Sequence, residues 1–217
     1  MPRGKFITFE GGEGAGKSTQ ARVLGDHLGT NGIEVVLTRE PGGTPFAEQV
    51  RGLLLGSNLP PHDALAEALL FYAARADHLA RVIRPALEAG KWVICDRFSD
   101  STRVYQGLAG GLSHEAFAAL ERLVVAPTAP DLTFILDMPP EEGLRRAEER
   151  RRASADTGAD PYEVRTLEYH QRLQHGFLEV AAAEPGRCVV IDAAGERDAV
   201  AARVWGVVEQ RLLRGVR

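Results

Sequence analysis

Gly11-Gly12-Glu13-Gly14-Ala15-Gly16-Lys17-Ser18 is the stretch of this chain in which residue type and spacing carry the most chemistry. Its glycines let successive backbone N–H groups turn inward as an anion-binding nest at a helix start, Lys17 adds a point charge, and the Ser18 hydroxyl is a hard-oxygen ligand suited to Mg²⁺. The chain has only three lysines, Lys5, Lys17 and Lys91, and one of them stands where such a loop requires it. The spacing is that of a P-loop, so Gly11 to Thr19 is expected to hold nucleotide phosphates. The plain alternative is a Gly-rich turn with no ligand. Context argues against it, because Phe6-Ile7-Thr8-Phe9 reads as a strand before the loop and Ser18 to Leu28 as a helix after it.

Further on, other residues match that chemistry. Arg39-Glu40-Pro41-Gly42-Gly43-Thr44 puts an arginine at a strand end before a tight turn, where it is either a bidentate phosphate donor or a surface arginine beside an ordinary turn. Beside a P-loop, a second phosphate group needs a second cationic site. Trp92-Val93-Ile94-Cys95 is an apolar run ending in Asp96-Arg97. Asp96 stands where P-loop enzymes carry the carboxylate that orients Mg²⁺ through water, and Arg97 is a second strand-end phosphate donor. Ser99-Asp100-Ser101-Thr102-Arg103-Val104-Tyr105-Gln106 then offers hydroxyls and an amide, suited to a small polar ligand or to a solvated turn. On the helical pattern over 63–89, Leu65, Leu69, Tyr72 and Leu79 form an apolar stripe. Phe71 and Arg75, one helical turn apart, project on one side, so a ring and a guanidinium could together meet a planar base. Equally, Phe71 could be core and Arg75 paired with a carboxylate.

The elements that must position these groups alternate. Strand candidates at 5–10, 33–39, 91–96, 132–137 and 187–192 are separated by helical patterns, which predicts an α/β fold with a five-stranded parallel sheet, right-handed crossovers and helices on both faces. Ligands of such sheets bind beyond the carboxyl ends of the strands, and Gly11, Arg39 and Asp96-Arg97 all fall there. At 217 residues, 44% hydrophobic and 26% charged, the chain is expected to be one domain, 1–217. A net charge of −4 argues against a nucleic-acid partner. Cys95 and Cys188 lie inside apolar runs and read as reduced core residues of a cytoplasmic protein. No stretch has the length and apolarity of a signal or membrane-spanning segment. Ala153 to Gly158, small and polar between two helical patterns, suggests a lid over about 145–163.

Together, Phe9-Glu10-Gly11 with the P-loop, Arg39 to Thr44, Phe71-Tyr72-Ala73-Ala74-Arg75, and Asp96-Arg97-Phe98 with Ser101 and Tyr105-Gln106-Gly107 resemble the bacterial thymidylate kinase family over essentially the whole chain. The Arg-Glu-Pro-Gly-Gly and Tyr-Gln-Gly segments are the more specific part of that likeness. The resemblance implies a nucleoside monophosphate kinase-like P-loop fold with a lid, Mg²⁺ as cofactor, transfer of the ATP γ-phosphoryl to dTMP, and a homodimer. It implies that Phe71 stacks on thymine and Arg75 hydrogen-bonds it, with Ser101, Thr102 and Gln106 in the acceptor site. Arg39 and Arg97 would hold the acceptor phosphate, Tyr105 would lie near the sugar, and Glu13 near the 3′-hydroxyl. Some relatives carry an arginine in the P-loop where this chain has Gly14, so the lid is expected to supply it, from Arg150, Arg151 or Arg152.

The acceptor of such a transfer is already ionised, so Lys17, Mg²⁺ and arginines are needed to bring two anions together more than a base is needed. Residues 140–152 also allow Glu141/Arg145 and Glu142/Arg146 ion pairs on a solvated helix face. Asp160-Pro161-Tyr162-Glu163 resembles the family's lid-closing segment, with Pro161 where an arginine is common. The turn Ala193-Ala194-Gly195 after the last strand is either a backbone contact for adenine or a plain connection. Two rivals share the loop. A GTP-dependent switch needs an Asn-Lys-x-Asp reader, and neither Asn31 nor Asn58 is followed by lysine. A deoxynucleoside kinase accepts a neutral hydroxyl and has no use for two phosphate arginines. Kinases of other nucleoside monophosphates are the nearest alternative.

Overall fold

The computed structural model describes residues 3–56, 60–154 and 161–213. Strands β1 (Phe6–Gly11), β2 (Val35–Arg39), β3 (Trp92–Asp96), β4 (Leu132–Asp137) and β5 (Cys188–Asp192) form one parallel sheet in the order β2-β3-β1-β4-β5. Between them run helices α1 (Lys17–Thr30), α2 (Pro45–Leu55), α3 (Ala64–His78), α4 (Arg84–Glu88), α5 (Ser99–Thr102), α6 (His114–Leu120), α7 (Pro140–Ser154) and α8 (Leu167–Ala183), and α9 (Arg197–Val208) follows β5.

Side-chain alternation puts core on both sheet faces. Ile7, Phe9, Ile94 and Phe134 pack with Leu24 and Leu28 of α1 and Val200 and Val204 of α9. On the opposite face Phe6, Val93 and Cys95 meet Leu79, Ile83 and Leu87, while Ile135 meets Leu173 and Phe177 of α8. Each of these large side chains, buried, contributes roughly 1.5–3 kcal/mol, which is why five short strands suffice as a platform. Cys95 and Cys188 are buried free thiols, as expected.

The helix expected over 63–89 is continuous but changes its winding: α3 passes into the π-helical stretch Leu79–Ile83 and then α4. Pro85 has no N–H to return to the preceding turn, and the helix widens just ahead of it. Its apolar stripe is split. Tyr72 and Leu79 are core, whereas Leu65 and Leu69 are 45% and 50% exposed. Phe46 and Leu53 of α2 are exposed to a similar degree.

β1 is central, paired with β3 on one side and β4 on the other. The chain's connections leave it in opposite directions, which opens a crevice at its carboxyl end. Register places Arg39 beside Asp96 and Asp96 beside Phe9, so the ends of three strands are level where the P-loop begins.

Candidate active site

A cavity of about 770 Å³ opens there, bounded by the P-loop, the ends of β2 and β3, α3, the turn after β3, α7, and Tyr162 and Glu163. Within the P-loop, Gly11, Gly14 and Gly16 all take positive φ. Gly14 has a second reason to lack a side chain: a Cβ there would stand 1.8 Å from the Gly143 carbonyl oxygen of α7. A Cβ on Gly143 would in turn stand 2.2 Å from the Glu13 oxygen. The P-loop and α7 therefore touch backbone to backbone, and position 14 has no room for an arginine. Lys17 Nζ donates to Gly11 O at 3.2 Å and Gly12 O at 2.6 Å. Burial and the nearby Arg97 charge bring its ammonium down to about 8, against the pull of Glu13, Asp96 and Glu10.

Beside the loop lies a knot of half-buried charge. Arg97 has φ 66°, the one positive φ of a non-glycine among the described residues. That turn sends its guanidinium back over the loop, where it donates to Gly11 O (3.1 Å), Ser101 Oγ (3.2 Å) and Glu13 Oε1 (2.6 Å). Tyr105 donates its hydroxyl to the same Glu13 oxygen at 2.7 Å. Burial alone would raise the Glu13 carboxyl, but Arg97, Lys17 and the Tyr105 hydroxyl lower it to about 2, so Glu13 is ionised. Behind the knot, Glu10 accepts from Phe98 N (2.7 Å) and Ser101 Oγ (2.6 Å), fixing the turn that carries Arg97. Burial, and then Asp100, push Glu10 up to about 7.

Arg75 forms the far end. Its Nε donates to Glu40 Oε2 at 2.8 Å and its Nη2 to Thr102 Oγ1 at 3.2 Å. His78 Nδ1 lies 2.9 Å from the other Glu40 oxygen. The carboxylate partner weighed for Arg75 thus exists, but it takes only part of the fork: Arg75 Nη1 is buried without a protein partner. Arg75 and the half-buried Phe71 both line the cavity. Gln106 Nε2 donates to Glu67 Oε2 at 2.8 Å, and Tyr162 OH donates to Glu67 Oε1 at 2.8 Å. Arg39 is at the rim, its Nη2 3.0 Å from both Glu48 oxygens.

The lid candidates separate. Arg150 and Arg151 line the cavity and pair with Glu163 at 3.2 and 3.3 Å. Arg152 is 74% exposed and pairs with Glu148. Arg145 pairs with Glu142 and Glu149, where Glu141 was expected, because Glu141 instead meets Gln171. Arg146 pairs with Glu142 as its spacing predicts. Residues 155–160, including most of Ala153 to Gly158 and Asp160, lie outside the described residues. Ala193, Ala194 and Gly195 follow β5 and do not line the cavity.

A family model described as "Thymidylate kinase" matches residues 9–204. The thymidylate kinase of Caulobacter vibrioides is 53% identical over 98% of this chain and 99% of its own length. That of Nitrobacter winogradskyi is 51% identical over 97% of this chain and 90% of its own. Among solved structures, a thymidylate kinase from Ehrlichia chaffeensis superposes with a TM-score of 0.73 at 37% identity, covering 95% of this chain and 99% of that one. The chain belongs to the thymidylate kinase family.

Several residues of the site escape a reading by motif. Glu40 anchors Arg75, Glu67 holds Gln106, Arg51 lines the cavity and donates to Pro41 O at 3.0 Å, and Gly143 meets the P-loop. Two of them had a signal. Glu67, Phe71 and Arg75 follow one another at helical spacing on one side of α3, and Gly143 is an isolated glycine inside a helical pattern. Oxygen donors suited to Mg²⁺ also converge: the Ser18 hydroxyl donates to the Asp96 carboxylate beside the phosphate nest. Mg²⁺ in such sites relies on few protein ligands and completes its shell with phosphate oxygens and water, so this pair fits it.

Proposed function

We propose that the protein transfers the γ-phosphoryl group of ATP to dTMP, giving dTDP and ADP on the route to dTTP. The P-loop backbone and Lys17 hold the donor phosphates. Ser18 and Asp96 hold Mg²⁺, which neutralises phosphate oxygens when bound. Arg97, Arg39 and Arg51 face the acceptor phosphate, and Glu13, kept ionised by Arg97, receives the sugar 3′-hydroxyl with Tyr105 alongside. Phe71 stacks on the base. Ser101 fixes Arg97, and Thr102 and Gln106 complete the wall of the nucleoside site.

One observation carries the choice of base: Arg75, whose buried Nη1 has no protein partner, lines the cavity together with the ring of Phe71 one helical turn away. A buried donor without an acceptor costs about 1–3 kcal/mol, and the C4 carbonyl of thymine relieves that cost where the amino group of cytosine cannot. Catalysis is placement and charge: Lys17, Arg97 and one lid arginine surround the transferring group as its charge redistributes. Residues 145–163 act as that lid, and its catalytic arginine is Arg150 or Arg151. The exposed apolar faces of α2 and α3, with Phe46, Leu53, Leu65 and Leu69, support a homodimer, and the composition supports a cytoplasmic setting. A steady-state panel of nucleoside monophosphates and of thymidine tests the reading: dTMP ranks first, and equal turnover of dCMP, dGMP or thymidine overturns it.

A further inference from the structure

Glu40, just beyond β2, has its carboxylate buried between two side chains of one helix. Arg75 and His78 stand three residues apart on α3 and reach it from the same face: Arg75 Nε donates to Oε2 at 2.8 Å, and His78 Nδ1 meets Oε1 at 2.9 Å. A carboxylate oxygen only accepts, so Nδ1 carries the proton. On its other side the ring is held by β2, where Nε2 lies 2.7 Å from Thr38 Oγ1. His78 is fully buried, and the turn after Glu40 is shaped around that second bond. Gly43 has φ 85°, and a Cβ on it would stand 2.5 Å from His78 Nε2 and 2.6 Å from Thr38 Oγ1.

The imidazole therefore decides how Arg75 can use Glu40. A guanidinium beside a free carboxylate favours a bidentate pair, with two parallel N–H groups on the two oxygens. Here Oε1 is taken, so Arg75 makes one bond to Glu40, with Nη2 on Thr102 Oγ1 at 3.2 Å and Nη1 left without a protein partner. Were Oε1 free, Nη2 would swing from Thr102 to it, and because the guanidinium is rigid and planar, Nη1 would turn with it.

We propose that His78 is a positioning residue for base selection: by occupying Glu40 Oε1 it keeps Arg75 from closing a bidentate pair on Glu40, and so holds Nη1 available to the base carbonyl. Being fully buried, His78 acts only through Glu40 and Arg75. This rests on the reading of Arg75 as the residue that selects thymine.

Two variants of the full-length enzyme separate this role from packing. An asparagine amide overlays Nδ1 of histidine and keeps an N–H on Glu40 while leaving the larger void, whereas leucine fills more of the space and has no donor. Packing alone thus favours leucine, and the proposed role favours asparagine. The readout is the ratio of kcat/KM for dTMP to that for dCMP, which does not depend on the fraction of enzyme that is folded. We expect His78→Leu to lower the ratio by about tenfold or more, chiefly through a higher KM for dTMP with kcat within about threefold of wild type, and His78→Asn to keep the ratio within about threefold. If His78→Leu does not fold, His78→Gln reads the same loss, since its amide overlays Nε2, keeps Thr38 and misses Glu40. A ratio unchanged in the variant that lacks the donor to Glu40, or lowered equally by His78→Asn, overturns the proposal. Arg75→Lys, measured alongside, keeps the two readings apart. A ratio that falls in Arg75→Lys but not in His78→Leu rejects only the role of His78, whereas a ratio unchanged in Arg75→Lys rejects the reading of Arg75 and the role of His78 with it.

Discussion

The two sides of the reaction centre are built differently. On the acceptor side, Arg97 and Glu13 pair at 2.6 Å with side chains only 18% and 15% exposed, fixed by a positive φ at the end of β3 and by the P-loop backbone. On the lid side, Arg150 is 66% exposed and pairs with Glu163 at 3.2 Å. A buried, multiply hydrogen-bonded charge loses several kcal/mol when its partner goes, whereas an exposed pair is worth about 0–1 kcal/mol. On the proposed reading, the acceptor side is preorganised before substrate arrives, while the lid side rearranges as the phosphates bind.

The largest expected effect falls on the lid side, despite its weak contacts, because on the proposed reading its arginine acts only in the transition state. Arg150→Ala or Arg151→Ala should lower kcat by about 10³-fold with modest change in dTMP affinity, and Arg152→Ala by less than about threefold. Single-turnover rates beside dTMP titrations check this, and a loss shared equally by all three would erase the contrast. Next is the seam between the two sides. Gly14→Ala places a Cβ 1.8 Å from Gly143 O at a positive φ, at a cost of about 1–3 kcal/mol and several degrees in Tm, readable by calorimetry.

The smallest effect sharpens the acceptor side. Glu10 carries a folded value of about 7 against the usual 4.5, so the native chain retains a proton that the unfolded chain has released. Stability from this group therefore falls as pH rises from about 4.5 to about 7 and is level above. Urea titrations at pH 5 and pH 8 should show a loss on the order of 1 kcal/mol in the wild type that Glu10→Gln abolishes.

What could be read from residue order follows the same division. The five strands, their parallel arrangement and the strand-end residues Gly11, Arg39 and Asp96-Arg97 are visible because apolar runs ending in polar residues mark the carboxyl edge of a buried sheet. The ion pairs within the knot are not visible, since Glu13, Arg97 and Tyr105 meet only through tertiary geometry and a backbone angle that no spacing reports. The roles of Leu65 and Leu69 escape for a related reason: helical periodicity shows that a face is apolar but not what covers it. Three successive arginines at 150 to 152 are chemically alike, and only the direction of α7 sorts them.

Base selection is the central point of the proposal, which assigns it to Arg75, whose Nη1 is buried without a protein partner. The most direct measurement is the ratio of kcat/KM for dTMP to that for dCMP, in the wild type and in Arg75→Lys, which keeps a cation beside Glu40 but removes the fork. The ratio should fall by about 10- to 100-fold in the variant, the worth of one buried hydrogen bond to the base. An unchanged ratio would place thymine recognition elsewhere and contradict the role given to Arg75.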